Sequence, residues 1–264
     1  MKHKLIAVLF LFQLSACSEF IAEPDLQENW KTLETDNILL HYRPADFIPG
    51  PSPTIEQAET ILANQQFYYQ LIQDSINRIF NDQVAIYLFN EAEAKNHIGT
   101  NGGGHSIPKL NTFYFTFLNH ERDYTDRYGI ENPVLGAHEM VHVITHRTLG
   151  YPGTKLMSEG YANWLDGSYA HYHLEDILKS YLEEHPEKIL TPDQMLDERD
   201  ITESVYYPNV GVFLRFMAGR YGIEKVNQLF TVSKEKFRSE FERTCNESWQ
   251  EMSRDFEEYI VSMK

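Results

Sequence analysis

The chain has 264 residues, 42% of them apolar, enough for one large or two small domains with a packed core. Basic residues number 23 against 39 acidic ones, a net charge of −16. That balance argues against a surface that neutralises nucleic-acid phosphates or an anionic membrane, which needs clustered Lys and Arg. No internal repeat suggests a solenoid.

The N-terminus reads as a leader. "MKHKLIAVLFLFQLSAC" carries Lys2 and Lys4, then an apolar run from Leu5 to Leu14, then small residues. About ten apolar residues suit a signal peptide and are too few to span a bilayer as a helix. Leu14-Ser15-Ala16-Cys17 resembles the lipobox of bacterial lipoproteins. The resemblance implies removal of residues 1–16 and lipidation of Cys17. Ser18 in place of an aspartate implies an outer-membrane destination facing the periplasm. An ordinary secretory leader with an unrelated cysteine is the competing reading. Cys245 has no second cysteine to pair with once Cys17 is lipidated, so the chain is not a disulfide scaffold.

Residues 17–33 read as a tether and 34–264 as the folded domain. Its first part, 34–131, is expected to hold the strands. "NILLHYR" (37–43), "VAIYLF" (84–89) and "NTFYFTFL" (111–118) are apolar, β-branched and aromatic runs. Between the first two, Ile55, Ala58, Ile61, Leu62, Tyr69, Ile72 and Ile76 recur at helical spacing, with Thr54 and Gln57 as a capping box. The glycine run "GTNGGGHS" lacks the Lys-Ser/Thr ending and the following helix of a phosphate loop, so it reads as a hairpin or substrate-side loop.

From residue 132 the chain reads as mainly helical. Asn132 and Pro133 are expected to open a helix whose stripe is Val134, Ala137, Val141, Ile144 and Thr148, ending at Gly150 and Pro152. "TKLMSEGYANWLDGSYA" and "YYPNVGVFLRFMAGRYG" supply two more helices, the latter stopping at Gly222. A small mixed sheet followed by helices makes the fold class α+β.

The chemistry sits in "NPVLGAHEMVHVITHRTLG". His138 and His142 lie one turn apart and about 40° apart around a helix, so two imidazoles can share one tetrahedral ion. Glu139, rotated about 100° from His138, cannot join them but can reach a water on that ion. This is the HExxH pattern of zinc hydrolases. His146 lies about 12 Å from His138 along the axis, too far to share the ion on a straight helix. Glu159, in "LMSEGYANWLDG" on the next helix, can complete a His₂Glu set.

HEMVH followed by SEGYA resembles the gluzincins, the peptidase MA-like group that includes thermolysin and aminopeptidase N, from about residue 37 to the C-terminus. The resemblance implies a zincin-like fold, one zinc on His138, His142 and Glu159, and Glu139 as general base. It implies a tyrosine oxyanion donor upstream of a glycine that opens a helix: Tyr207 before Gly211, with Tyr206 in reserve. Asn163 and Asp166, on the face of Glu159, are candidates to accept hydrogen bonds from the ligand imidazoles. The Gly-x-Met-Glu-Asn motif of aminopeptidase N has no counterpart around "KLNTFYFTFLNHERDY", the strand expected to flank the cleft. Exopeptidase action is therefore unsupported, while main-chain pairing with an extended peptide remains open.

The expected function is zinc-dependent peptide-bond hydrolysis on a lipid-anchored envelope protein. Its rivals are a non-catalytic zinc-containing scaffold or assembly factor at the outer membrane, and a zinc hydrolase of non-peptide substrates.

Overall fold

The computed structural model describes residues 29–44, 52–90, 103–117, 124–131 and 133–263. The leader, Cys17, Ser18, Asn132 and part of the glycine run lie outside them. The fold is mixed α and β, with one small mixed sheet followed by helices. Among the described residues no helix is long and apolar enough to cross a membrane.

The sheet has the order β1-β2-β3-β5-β4. Strand β1 (Lys31–Glu34) runs antiparallel to β2 (Ile38–Tyr42), which is parallel to β3 (Val84–Phe89). Strand β3 is parallel to β5 (Thr112–Thr116), and β4 (Gly104–Ile107) closes the edge antiparallel to β5. Alternation explains the burial of the sheet. Ile38, Leu40, Val84, Ile86, Leu88 and Phe113 join the main core, while Tyr87, Phe89 and Tyr114 cluster on the opposite face.

Two expectations about this half are corrected. The tether ends before residue 33, because Lys31–Glu34 already pairs with β2. Trp30 fixes that start, packing edge-on against Tyr87 and Phe89 at 5.9 and 5.5 Å. The strand expected at 111–118 to flank the cleft and pair with a peptide is β5, an inner strand of the sheet. Strand β5 is hydrogen-bonded on both sides, and among the described residues the edges of this sheet are β1 and β4, of which β4 is the one beside Glu139.

Helix α1 (Ile55–Ile76) begins with the expected capping box. Gln57 N–H donates to Thr54 Oγ1 at 3.2 Å, and Thr54 N–H donates to Gln57 Oε1 at 2.9 Å. Its buried stripe includes Ala58, Ile61, Tyr69, Ile72 and Ile76, whereas Ile55 is exposed.

Helix α2 runs His138–Leu149 and ends at Gly150 as expected, but starts later than Pro133. Pro133–Gly136 is irregular because other parts of the chain bind its backbone. Gln65 Nε2 donates to the carbonyls of Leu135 and Gly136, and Asp166 Oδ1 accepts from the N–H groups of Ala137 and His138. Asp166 therefore caps the helix across space, doing what a local N-cap side chain would do.

Helix α3 (Lys155–Asp166) is capped by Thr154, whose Oγ1 accepts from Met157 N–H, and ends at Gly167. A two-strand hairpin follows, β6 (Ser168–Tyr169) and β7 (Tyr172–His173), then α4 (Leu174–Glu184) and α5 (Pro192–Asp197). Helix α6 (Glu203–Tyr221) stops at Gly222, ahead of α7 (Ile223–Leu229), α8 (Lys234–Cys245) and α9 (Trp249–Val261).

The pairing of α3 with α6 positions the site. A Cβ on Gly160 would meet Leu214 Cδ2 at 2.4 Å, and one on Gly211 would meet Asn163 Cβ at 2.9 Å. The two glycines let the helix backbones approach. Gly211 thus serves packing in mid-helix and does not open a helix, since α6 begins eight residues earlier at Glu203. Pro208, also inside α6, has no N–H for the Ser204 carbonyl. Tyr181 Oη supplies the donor instead, at 2.9 Å.

Candidate metal centre

Helix α2 presents His138 and His142 toward Glu159 of α3. The two imidazole Nε2 atoms are 3.2 Å apart, and Glu159 Oε2 lies 3.5 Å from the first and 3.7 Å from the second. Atoms bound tetrahedrally to one ion at zinc–nitrogen distances stand about 3.3 Å apart. The three atoms therefore outline one face of such a polyhedron. Glu159 Oε2 is buried without a hydrogen-bond donor. A buried carboxylate oxygen left without a donor is costly unless a cation completes it. The residues fit a divalent ion of the zinc class, and among the described residues they form the group able to hold one.

Charge in the cluster is strongly coupled. Burial opposes a charged His138, but Glu159 and Glu139 outweigh it and hold its pKa up to about 9. Burial likewise opposes a charged Glu159, and the two imidazoles outweigh it, holding the carboxyl well below its usual range.

His146 lies outside the ligand group. Its ring packs against Tyr151 and Phe230, and burial, then His142, lowers its pKa to about 4. It meets the centre indirectly through Ser158, whose Oγ lies 3.3 Å from His142 Nδ1 and 3.5 Å from His146 Nε2. Ser158 is thus the partner of the His142 imidazole, a position given in the sequence to Asn163 or Asp166. The only sequence signal for it is adjacency to Glu159.

Those two side chains act differently. Asn163 Nδ2 donates to the Glu159 carbonyl at 2.8 Å, bracing the backbone of that residue, and its buried Oδ1 has no donor. Asp166 is corrected from an imidazole acceptor to a helix cap. Its oxygens bind the α2 N-terminus and the Ser168 hydroxyl, the latter at 2.7 Å. The free N–H groups at a helix start compete effectively for a carboxylate.

Glu139 is half-buried and touches the edge strand. A Cβ on Gly104 would lie 2.5 Å from Glu139 Cγ and 2.7 Å from its Oε1, so only glycine leaves room for the acid. Nothing in the glycine run itself signals this contact, which depends on a helix 35 residues later.

The two tyrosines face different ways. Tyr206 is buried, and its hydroxyl donates to the Met195 carbonyl at 2.9 Å. Tyr207 is half-buried, its ring 5.9 Å from that of His138 and edge-on to Tyr169 at 5.7 Å. Burial first, then Glu159 and Glu203, raises the Tyr207 phenol and keeps it a neutral donor. Only Tyr207 of the pair is beside the histidines.

A scan against models of known protein families gives no match, and a search of curated proteins gives no significant match.

Proposed function

We propose that this chain is a zinc-dependent metallopeptidase with a gluzincin-type site in a zincin-like fold. The observation that carries the reading is the convergence of His138, His142 and the buried Oε2 of Glu159, with Glu139 beside them. A zinc ion there would acidify a water and polarise a carbonyl.

The chain's own residues supply the rest. Glu139 takes the proton of the attacking water and passes it to the leaving amine. Tyr207, kept protonated by burial, donates a hydrogen bond to the developing oxyanion. Ser158 orients His142, and Asn163 braces Glu159. Strand β4 offers its free edge to an extended peptide next to Glu139. Peptide or protein is the substrate class, and no nucleic-acid partner is proposed for so acidic a chain.

Attachment through a lipidated Cys17, with the domain at the outer membrane facing the periplasm, is part of the proposal. Cys17→Ser should leave unlipidated precursor; normal processing and membrane fractionation of that variant would overturn the attachment. The activity is tested by digesting an unbiased peptide library with zinc-loaded and with chelated protein. Cleavage confined to the zinc-loaded sample is expected, and an uncut library would favour a zinc-containing scaffold.

A further inference from the structure

Lys155 is an exposed cation at the end of its helix where positive charge is least favoured. It occupies the first turn of α3, which contains no acid, and there the helix dipole disfavours positive charge. Several cations of this acidic chain sit on carboxylates, among them Arg78 on Glu224, Arg220 on Glu247 and Asp255, and Lys234 on Asp197, while Lys109 and Lys188 each lie over one tyrosine ring. Lys155 instead holds its Nζ over two aromatic faces, 5.1 Å from the Tyr206 ring centre and 5.7 Å from that of Tyr207. No carboxylate among the described residues forms an ion pair with it.

Its position ties it to the site. Lys155 precedes Glu159 by four residues, so it stands on the same face of α3 about 6 Å along the axis. Tyr207, the ring under its ammonium, is the one beside His138. Such a distance is about one or two residues of extended peptide from the reacting carbonyl. The aromatic faces hold the ammonium in place while leaving its donors free. Glu203 and Glu159 border Tyr207, and Glu198 and Glu159 border Tyr206, so these are the acids around the two rings that carry the ammonium.

We propose that Lys155 is a specificity-determining residue that selects substrates carrying a carboxylate close to the scissile bond, on the Tyr207 side. The carboxylate comes from an Asp or Glu side chain or from the peptide C-terminus. This inference rests on the peptidase reading of the centre.

Three dipeptide hydroxamates, titrated calorimetrically into zinc-loaded protein, test it: Glu side chain with amidated C-terminus, Gln with amide, and Gln with free carboxylate. At least one carboxylate compound should bind about five-fold tighter than the neutral one, the upper range for an exposed charge pair, and the arm that responds identifies the source. Lys155→Ala should abolish the difference, and Glu203→Gln should enlarge it. Lys155→Glu should reverse it, the neutral compound then binding tighter than the carboxylate ones. Equal affinities in the wild type, or a preference that survives Lys155→Ala, would overturn the proposal alone. Failure of all three compounds to bind would overturn the centre and the proposal together.

Discussion

Gly104 and Glu139 occupy touching space: a methyl group on the first would stand 2.7 Å from a carboxylate oxygen of the second. Gly104 does not have the positive φ of its neighbour Gly103, so alanine fits its backbone and the conflict is one of volume. Gly104→Ala should push the acid aside and lower turnover about 10²-fold, as displacement by an ångström can. Zinc content should hold. Gly103→Ala, with nothing within 4 Å of its Cβ but φ +90, should cost stability and spare turnover. Equal turnover losses in the two variants would reject the contact as the cause.

Metal content separates ligands from neighbours. His138→Ala, His142→Ala and Glu159→Ala should each lose the single zinc, whereas His146→Ala should keep it. Ser158→Ala should bind zinc about 10–100-fold more weakly, the usual cost of losing a ligand's hydrogen-bond partner. Equilibrium dialysis against a zinc buffer reads all five, and full retention by Glu159→Ala would remove the third ligand.

Protons and metal compete at the same nitrogens. In metal-free protein His138 titrates near 9, against 6.5 when unfolded, and Glu159 titrates below its ordinary 4.5. The raised histidine stabilises the fold fully below pH 6.5 and stops doing so as pH rises through about 9. The lowered carboxyl contributes above pH 4.5 and fades as pH falls through its folded value. Chelated protein should therefore lose melting temperature between pH 6.5 and 9. Zinc-loaded protein, whose imidazoles are already neutral, should lose less over that range. Parallel curves for the two forms would contradict the coupling.

If Tyr207 is the oxyanion donor proposed above, Tyr207→Phe acts chiefly on the transition state, so kcat should fall about 10²–10³-fold with little change in KM. Tyr206→Phe breaks a buried bond to the Met195 carbonyl and should instead cost about 1 kcal/mol of stability. Steady-state kinetics with thermal melts distinguishes them. A kcat loss confined to Tyr206→Phe would move the donor.

Local rules carried the sequence reading where local chemistry decides the structure. The Thr54–Gln57 capping box, the α2 terminus at Gly150 and the end of α6 at Gly222 depend on residues within a turn of each other. The HExxH spacing depends on one helix. What stayed hidden was set by partners distant in sequence. The late start of α2 comes from Asp166 and Gln65, the value of Gly104 from a helix 35 residues later, and the edge role of β4 from sheet order. Ser158 was hidden differently, because a hydroxyl beside a ligand looks like any serine until His142 is seen next to it.

Glu139→Gln puts the central claim to the most direct test. The side chain keeps its shape and is not a ligand, so the variant should carry a full complement of zinc and melt as the wild type does. Measured on the best peptide from the library digestion, its turnover should drop about 10²–10⁴-fold, the contribution of a positioned acid–base group. Turnover within a few-fold of wild type, with zinc in place, would contradict Glu139 as the base and with it the peptidase mechanism.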